Sequence, residues 1–435
     1  MKLGASLCLL SSLAAAANPL PLPMRVEKLD NGFTVALVRL GPSGTVGIYT
    51  LVRVGSRNEV EPGHTGFAHL FEHIMFRGTK RFPAAVQQEL IQRLGYDDNA
   101  WTSEDNTVYT PFGPGAGLAR ILEREADRMR NLEYSRDDFK TETKAVLGEY
   151  NKSYSDPSMK MEELLLEKAF SRHTYRHSVI GFLEDIKKMP LRYDYSLRFF
   201  RKYYVPDNCI LFVVGDFDEE AVLAQVRALY GPWKGKVHTP KIPDEPPPAD
   251  EQRVTLPWPN PTQVRIMIGY RTPSGYRESA TQTLLSGYLF GPVSRLHKDL
   301  VLDRQLVERI EPWFEPHRDA RLFHFVIALK RDDAADAVLA ALDAEVERLR
   351  SGTVDERLFA DVQSNLRTGL LLGLDTPARV GEALAWHASP RGDPDGLGRH
   401  VEALGALSPT DLAAFARDHL VKTGRTIVTL APRAP

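Results

Sequence analysis

The sequence predicts an α+β protein of two similar domains, on three observations: its length of 435 residues, a proline-rich break near the middle, and matching strand-like and helix-like runs on either side of it. A length prior of roughly 100 to 200 residues per domain favours more than one core here. The break covers 236–252, where Pro240, Pro243, Pro246, Pro247 and Pro248 alternate with charges and leave little to bury. This stretch reads as an extended linker. On its N-terminal side, the turn Asp30-Asn31-Gly32 leads into Phe33 to Val38, and Ile210 to Val214 closes the half; on its C-terminal side, Val264 to Gly269 opens and Thr426 to Leu430 closes. Helical periodicity fills the space between. The expected division is an N-terminal domain over 24–235, the linker 236–252 and a similar C-terminal domain over 253–435, each an antiparallel-rich sheet packed with helices.

The N-terminus carries the pattern of an export signal. Met1-Lys2 is followed by an apolar run from Leu3 to Leu13 and by Ala14 to Ala17, with helix-breaking Pro19, Pro21 and Pro23 beyond. Residues 1–17 are therefore expected to be a signal peptide, which points to an exported, periplasmic protein. Cys8 would leave with that segment and Cys209 would remain alone, so no internal disulfide is expected. No later run approaches the roughly 18 apolar residues that a membrane span needs, so no span is expected. A formal net charge of -2, with Lys and Arg spread along the chain, lacks the basic footprint of a nucleic-acid binder.

The chemistry-bearing motif is His69-Leu70-Phe71-Glu72-His73, set in the apolar run from Gly66 to Phe76. At roughly 100° per residue of helix, positions 69, 72 and 73 share one narrow face, so two imidazoles and a carboxylate converge. A chance H-x-x-E-H is expected roughly 0.02 times in such a chain, which disfavours incidental histidines. Two neutral imidazoles suit Zn2+, and a catalytic site then needs one more protein ligand and an open position. Glu72, beside both histidines, is the expected general base. The third ligand is sought on the helix expected from Arg136 to Tyr150, capped by Ser135 with Asp137 and Asp138 in its first turn. Glu142 and Glu149, seven apart, share a face of that helix, and spacing alone leaves either as ligand with the other orienting.

These residues resemble the pitrilysin, insulysin and mitochondrial processing peptidase family of zinc metallopeptidases, the inverzincins, and most closely its short two-domain bacterial members. The resemblance places a glutamate ligand about 76 residues beyond the second histidine, where Glu149 stands, and makes Glu142 a supporting glutamate behind the ligands. It extends over Arg77-Gly78-Thr79, Val179-Ile180-Gly181 and Tyr203 to Asn208, which look like family landmarks. It implies one Zn2+ per chain and two chains or halves closing as a clamshell over unfolded peptide. It also implies that Asn99, Ala100, Trp101 and Thr102 form an edge strand that pairs with the substrate backbone.

One stretch departs from the family pattern. Active relatives carry an arginine and a tyrosine seven residues apart in the C-terminal half, but after Ser294-Arg295-Leu296 this chain has Val301 and Glu308 at those places. Neither can donate as the family pair does, unless Arg304 or Arg309 takes the role. The resulting expectation is a heterodimer in which a homologous subunit supplies the pair, with a homodimer as the other arrangement. The alternative to a peptidase is a non-catalytic structural or binding member of the same fold; four intact site positions favour the enzyme. Two other motifs are set aside. His173 and His177 flank Arg176, which would repel a cation, and the glycines from Gly113 to Gly117 lack a phosphate-binding Lys-Ser or Lys-Thr and read as a turn into a helix at Leu118.

Overall fold

The structure, a computed structural model, describes residues 20, 22–260 and 262–432. The expected signal peptide lies outside the described residues. Seven strands form the first sheet: β1 (Met24–Lys28), β2 (Thr34–Arg39), β3 (Thr45–Val52), β4 (Ala100–Thr102), β5 (Thr107–Tyr109), β6 (Phe112–Pro114) and β7 (Cys209–Gly215). Five form the second: β8 (Gln252–Trp258), β9 (Arg265–Thr272), β10 (Val307–Trp313), β11 (Arg321–Leu329) and β12 (Arg425–Pro432). With helices packed on both, the fold is α+β, as expected.

The two sheets repeat one topology. The first runs β1-β2-β7-β3-β5-β4, with β6 also on β3; the second, read from its other edge, runs β8-β12-β9-β11-β10. In both, the last strand of the half inserts between two strands consecutive in sequence, parallel to the earlier (β2 or β8) and antiparallel to the later (β3 or β9). This placement explains why Cys209–Gly215 is an unbroken apolar run rather than an alternating one. A central strand covered on both faces has no solvent side on which to put polar residues, and every residue of β7 is buried.

Each half lends a helix to the other's sheet. On one face of the first sheet Val35, Leu37, Ile48 and Val213 pack with Phe67, Leu70 and Phe71 of its own helix Phe67–Ile74. On the opposite face Ala36, Tyr49, Leu51 and Phe212 pack with Val380, Leu384 and Ala388 from the C-terminal helix Pro377–Ala388. Reciprocally, Met161, Leu165 and Leu166 of the N-terminal helix Pro157–Ala169 cover Met267, Leu322 and Val428 of the second sheet. Full burial of such side chains is worth about 1.5–3 kcal/mol each, so the exchange binds the halves through their cores. Gly381 permits the close approach, since a Cβ there would meet the Tyr49 ring at 1.9 Å, and the Tyr49 hydroxyl donates to the Ala378 carbonyl at 2.8 Å.

Charged contacts reinforce the seam. Arg57 Nε donates to Asp319 at 2.5 Å, the Arg318 N–H donates to Asp105 at 2.9 Å, and buried Arg321 pairs with buried Glu104. No regular element occurs between Tyr230 and Gln252. Glu245, within that stretch, fixes the chain by accepting backbone N–H bonds from Ser171, Arg172 and His173. Among the described residues no helix is long and apolar enough to cross a membrane.

Candidate metal centre

The helix Phe67–Ile74 is short, and its residues Phe67, Ala68, Leu70, Phe71 and Ile74 are buried against the sheet. Isolated helices of this length are marginal, so packing fixes it. Its N-cap Gly66 takes φ +88, a left-handed conformation that suits glycine, and offers no side chain to satisfy the first-turn N–H groups. Glu59 does so instead. Its two carboxylate oxygens accept from the N–H of Gly66 and of Ala68, both at 2.7 Å. Sequence reasoning missed Glu59 because it lies outside the local capping spacing; only the fold returns it to the helix.

The second helix spans Arg136–Ser153. Ser135 caps it as expected, its Oγ accepting from the Asp138 N–H at 3.0 Å while the Asp138 carboxylate accepts from the Ser135 N–H at 3.0 Å. This helix carries Glu142 and Glu149 past the histidines. Glu149 Oε2 lies 3.6 Å from His69 Nε2 and 3.4 Å from His73 Nε2. One donor atom from each of His69, His73 and Glu149 falls within 4.8 Å of the others. Two imidazole nitrogens and a carboxylate oxygen, converging at separations wider than hydrogen bonds, fit a tetrahedral Zn2+ with its fourth position open.

Glu142 stands on the far side of His73, its Oε2 3.4 Å from Nδ1, and its other oxygen accepts from Arg77 Nε at 2.5 Å. It is thus placed to orient the imidazole rather than to ligate. The Glu72 carboxylate accepts from the Thr102 hydroxyl at 2.7 Å. Burial pushes the Glu72 carboxyl up despite that bond. Burial and neighbouring His73 push the His69 imidazole down to about 4. At His73 burial acts the same way but is outweighed by Glu142 and Glu149, which raise it to about 9. A cation at the site would replace the His73 proton on Nε2, facing Glu149, and leave the Nδ1 proton facing Glu142.

A cleft of about 340 Å³ opens beside these groups, walled by Trp101, Thr102, Met159, Val179 and Ile180. Ala100, Trp101 and Thr102 form β4, which ends the sheet and, among the described residues, pairs with β5 alone. Asn99 precedes the strand; its carbonyl accepts from the Thr110 N–H at 2.8 Å. The remaining sequence candidates lie elsewhere. His173 is engaged by Asp319 at 3.0 Å and by the Tyr175 N–H, and the helix after Gly117 does begin at Leu118. Val301 is half-buried in a π-helical turn, His297–Asp303, and exposed Glu308 accepts from Gln263 Nε2 at 2.5 Å. Arg304 pairs with Asp299, and Arg309 with Glu308 and Glu311.

Comparison with known proteins places this geometry among relatives. Residues 34–181 match the family model described as "Insulinase (Peptidase family M16)" and residues 190–366 the one described as "Peptidase M16 inactive domain". His69, Glu72, His73, Glu142 and Glu149 all fall within the first match. The chain is 27% identical over 442 residues to the zinc protease PqqE of Helicobacter pylori, covering 99% of this chain and 98% of that relative. The crystal structure of a protease from Helicobacter pylori superposes with a TM-score of 0.88 at 26% identity, over 94% of this chain and 100% of that one. The periplasmic protease PqqL of Escherichia coli shares the fold with a TM-score of 0.75 at 19% identity, over 94% of this chain and 47% of that one.

Proposed function

The chain belongs to peptidase family M16, the insulinase family, and on that footing we propose that it is the zinc-bearing subunit of a peptidase that hydrolyses unfolded peptides. The observation that carries this reading is the convergence of His69 Nε2, His73 Nε2 and Glu149 within 4.8 Å, with Glu72 beside them and free of ligation. In this reading one Zn2+ per chain is held by those three residues. When bound, it supplies acidification of water, with a pKa brought from 15.7 to about 7, and polarisation of the scissile carbonyl. Glu72 accepts the proton of the attacking water and returns it to the leaving amine. Glu142 holds the His73 ring through Nδ1. Residues Asn99 to Thr102 bind the peptide backbone along the open edge of β4, and the cleft behind Trp101 and Thr102 receives its side chains.

The zinc-binding domain is assigned to 24–235 and its homologous partner domain to 253–435, joined through 236–252. Val301 and Glu308 leave the C-terminal half without the donor pair expected there. A homologous subunit is therefore assigned that role in a closed heterodimer, with export to the periplasm through residues 1–17. The test is to purify the mature chain, load it with zinc, and assay an unstructured peptide with and without a co-expressed homologue bearing the arginine and tyrosine. Turnover that appears only with the homologue supports the heterodimer. Full turnover by the chain alone removes the partner from the reading, and none in either case removes the peptidase.

A further inference from the structure

A second group of metal-ligating atoms lies outside the site just described. Glu104, Glu315 and His317 each offer one donor atom, and these atoms lie within 4.8 Å of one another. Glu104 follows β4 in the N-terminal half and lines the same cleft as His69 and Glu149. Glu315 and His317 belong to the connection between β10 and β11 in the C-terminal half. The three meet across the seam between the halves.

The imidazole is the informative member. The side chains of His317 and Glu104 are only 9% and 8% exposed, yet His317 Nδ1 stands 4.0 Å from Glu104 Oε2 and 3.7 Å from Asp105 Oδ2. Both distances exceed a hydrogen bond, and the ring has no hydrogen-bond partner among the described residues. Asp105 Oδ2 is already taken by the Tyr175 hydroxyl and the Arg318 N–H, and the 4.0 Å from His317 to Glu104 Oε2 is somewhat wider than the 3.4 and 3.6 Å between ligand atoms at the first centre. Arg321 engages Glu104 Oε1 and leaves Oε2 turned to His317.

We propose that Glu104, Glu315 and His317 form a second divalent-cation site, of the manganese or zinc class, that ties the two halves together at the end of the catalytic cleft. One imidazole and two carboxylates are donors that both ions accept. Arg321 holds the far oxygen of Glu104 and so fixes the ligand without occupying its coordinating face.

The test uses the full zinc-loaded protein equilibrated with Mn2+, with metals counted by mass spectrometry and bound manganese read by electron paramagnetic resonance. Wild type is expected to hold about two divalent ions per chain. H317A and E315Q lose the second ion and its manganese signal while keeping the first, and E149Q does the reverse. Circular dichroism establishes that each variant is folded, and E315Q changes a half-buried residue that makes no hydrogen bond. A wild-type protein with a single ion, manganese retained in both H317A and E315Q, or loss of both ions in E149Q would each overturn the proposal. Because the readout is metal content, its failure is distinguishable from failure of the peptidase reading.

Discussion

The Thr102 hydroxyl donates to Glu72 Oε2 at 2.7 Å, so the edge strand β4 and the carboxylate assigned to proton transfer are joined by one hydrogen bond. A peptide laid along β4 is thereby in register with Glu72, because strand and base are held by the same residue. Replacing Thr102 by Val keeps the shape and removes the bond. A hydrogen bond to a charged group is worth about 1.5–3 kcal/mol, so T102V is expected to lower kcat about ten-fold or more with zinc content unchanged; undiminished kcat would show that the bond does not position Glu72.

Glu72 and Glu149 are separable by metal analysis. E72Q is expected to bind zinc normally and to lose about 10²- to 10⁴-fold in kcat, whereas E149Q is expected to lose the metal itself. Zinc retained by E149Q, or activity retained by E72Q, would reverse the assignments.

Glu142 touches His73 from behind and is itself held by Arg77. E142Q is therefore expected to weaken zinc affinity about 10- to 100-fold, measured by competition with a chelator, while peptide KM at saturating zinc stays near wild type.

Gly381 lies against the Tyr49 ring where the C-terminal helix crosses the first sheet. A methyl group has no space there, so G381A is expected to destabilise the protein by about 1–3 kcal/mol, read by chemical denaturation. An unchanged midpoint would mean that the helix is not packed as described.

Asp319 links the halves through Arg57 and His173. Burial opposes its ionisation, but His173 and Arg57 outweigh this and hold its carboxyl well below the usual range. Such a depressed group contributes stability that is present above the ordinary aspartate value and lost as pH falls through the folded one. The melting temperature of wild type should therefore drop below about pH 4, while D319N starts lower at neutral pH and shows a flatter acid limb. Parallel curves would place the acid sensitivity elsewhere.

Much of this protein is legible in its sequence because local rules dominate there. The H-x-x-E-H spacing brings His69 and His73 to one helix face by helix geometry alone, Ser135 and Asp138 cap the next helix through a spacing of three residues, and the apolar runs at 34–38 and 210–214 form strands because a doubly covered sheet requires them. The choice between Glu142 and Glu149 was not legible by spacing, since both lie on the facing surface. Resemblance favours Glu149, whose carboxylate stands beside both Nε2 atoms while that of Glu142 stands beside Nδ1.

Periodicity and short-range spacing suffice for the α+β class, the duplicated strand pattern and the placing of His69, Glu72 and His73 on one helix face. That Glu59 caps the helix carrying both histidines, that each half covers the other's sheet, and that Glu104 meets Glu315 and His317 across the seam follow from the folded chain alone. These contacts join residues far apart in the chain, and what brings them together is burial of apolar faces, which acts on the folded whole and leaves no local signature.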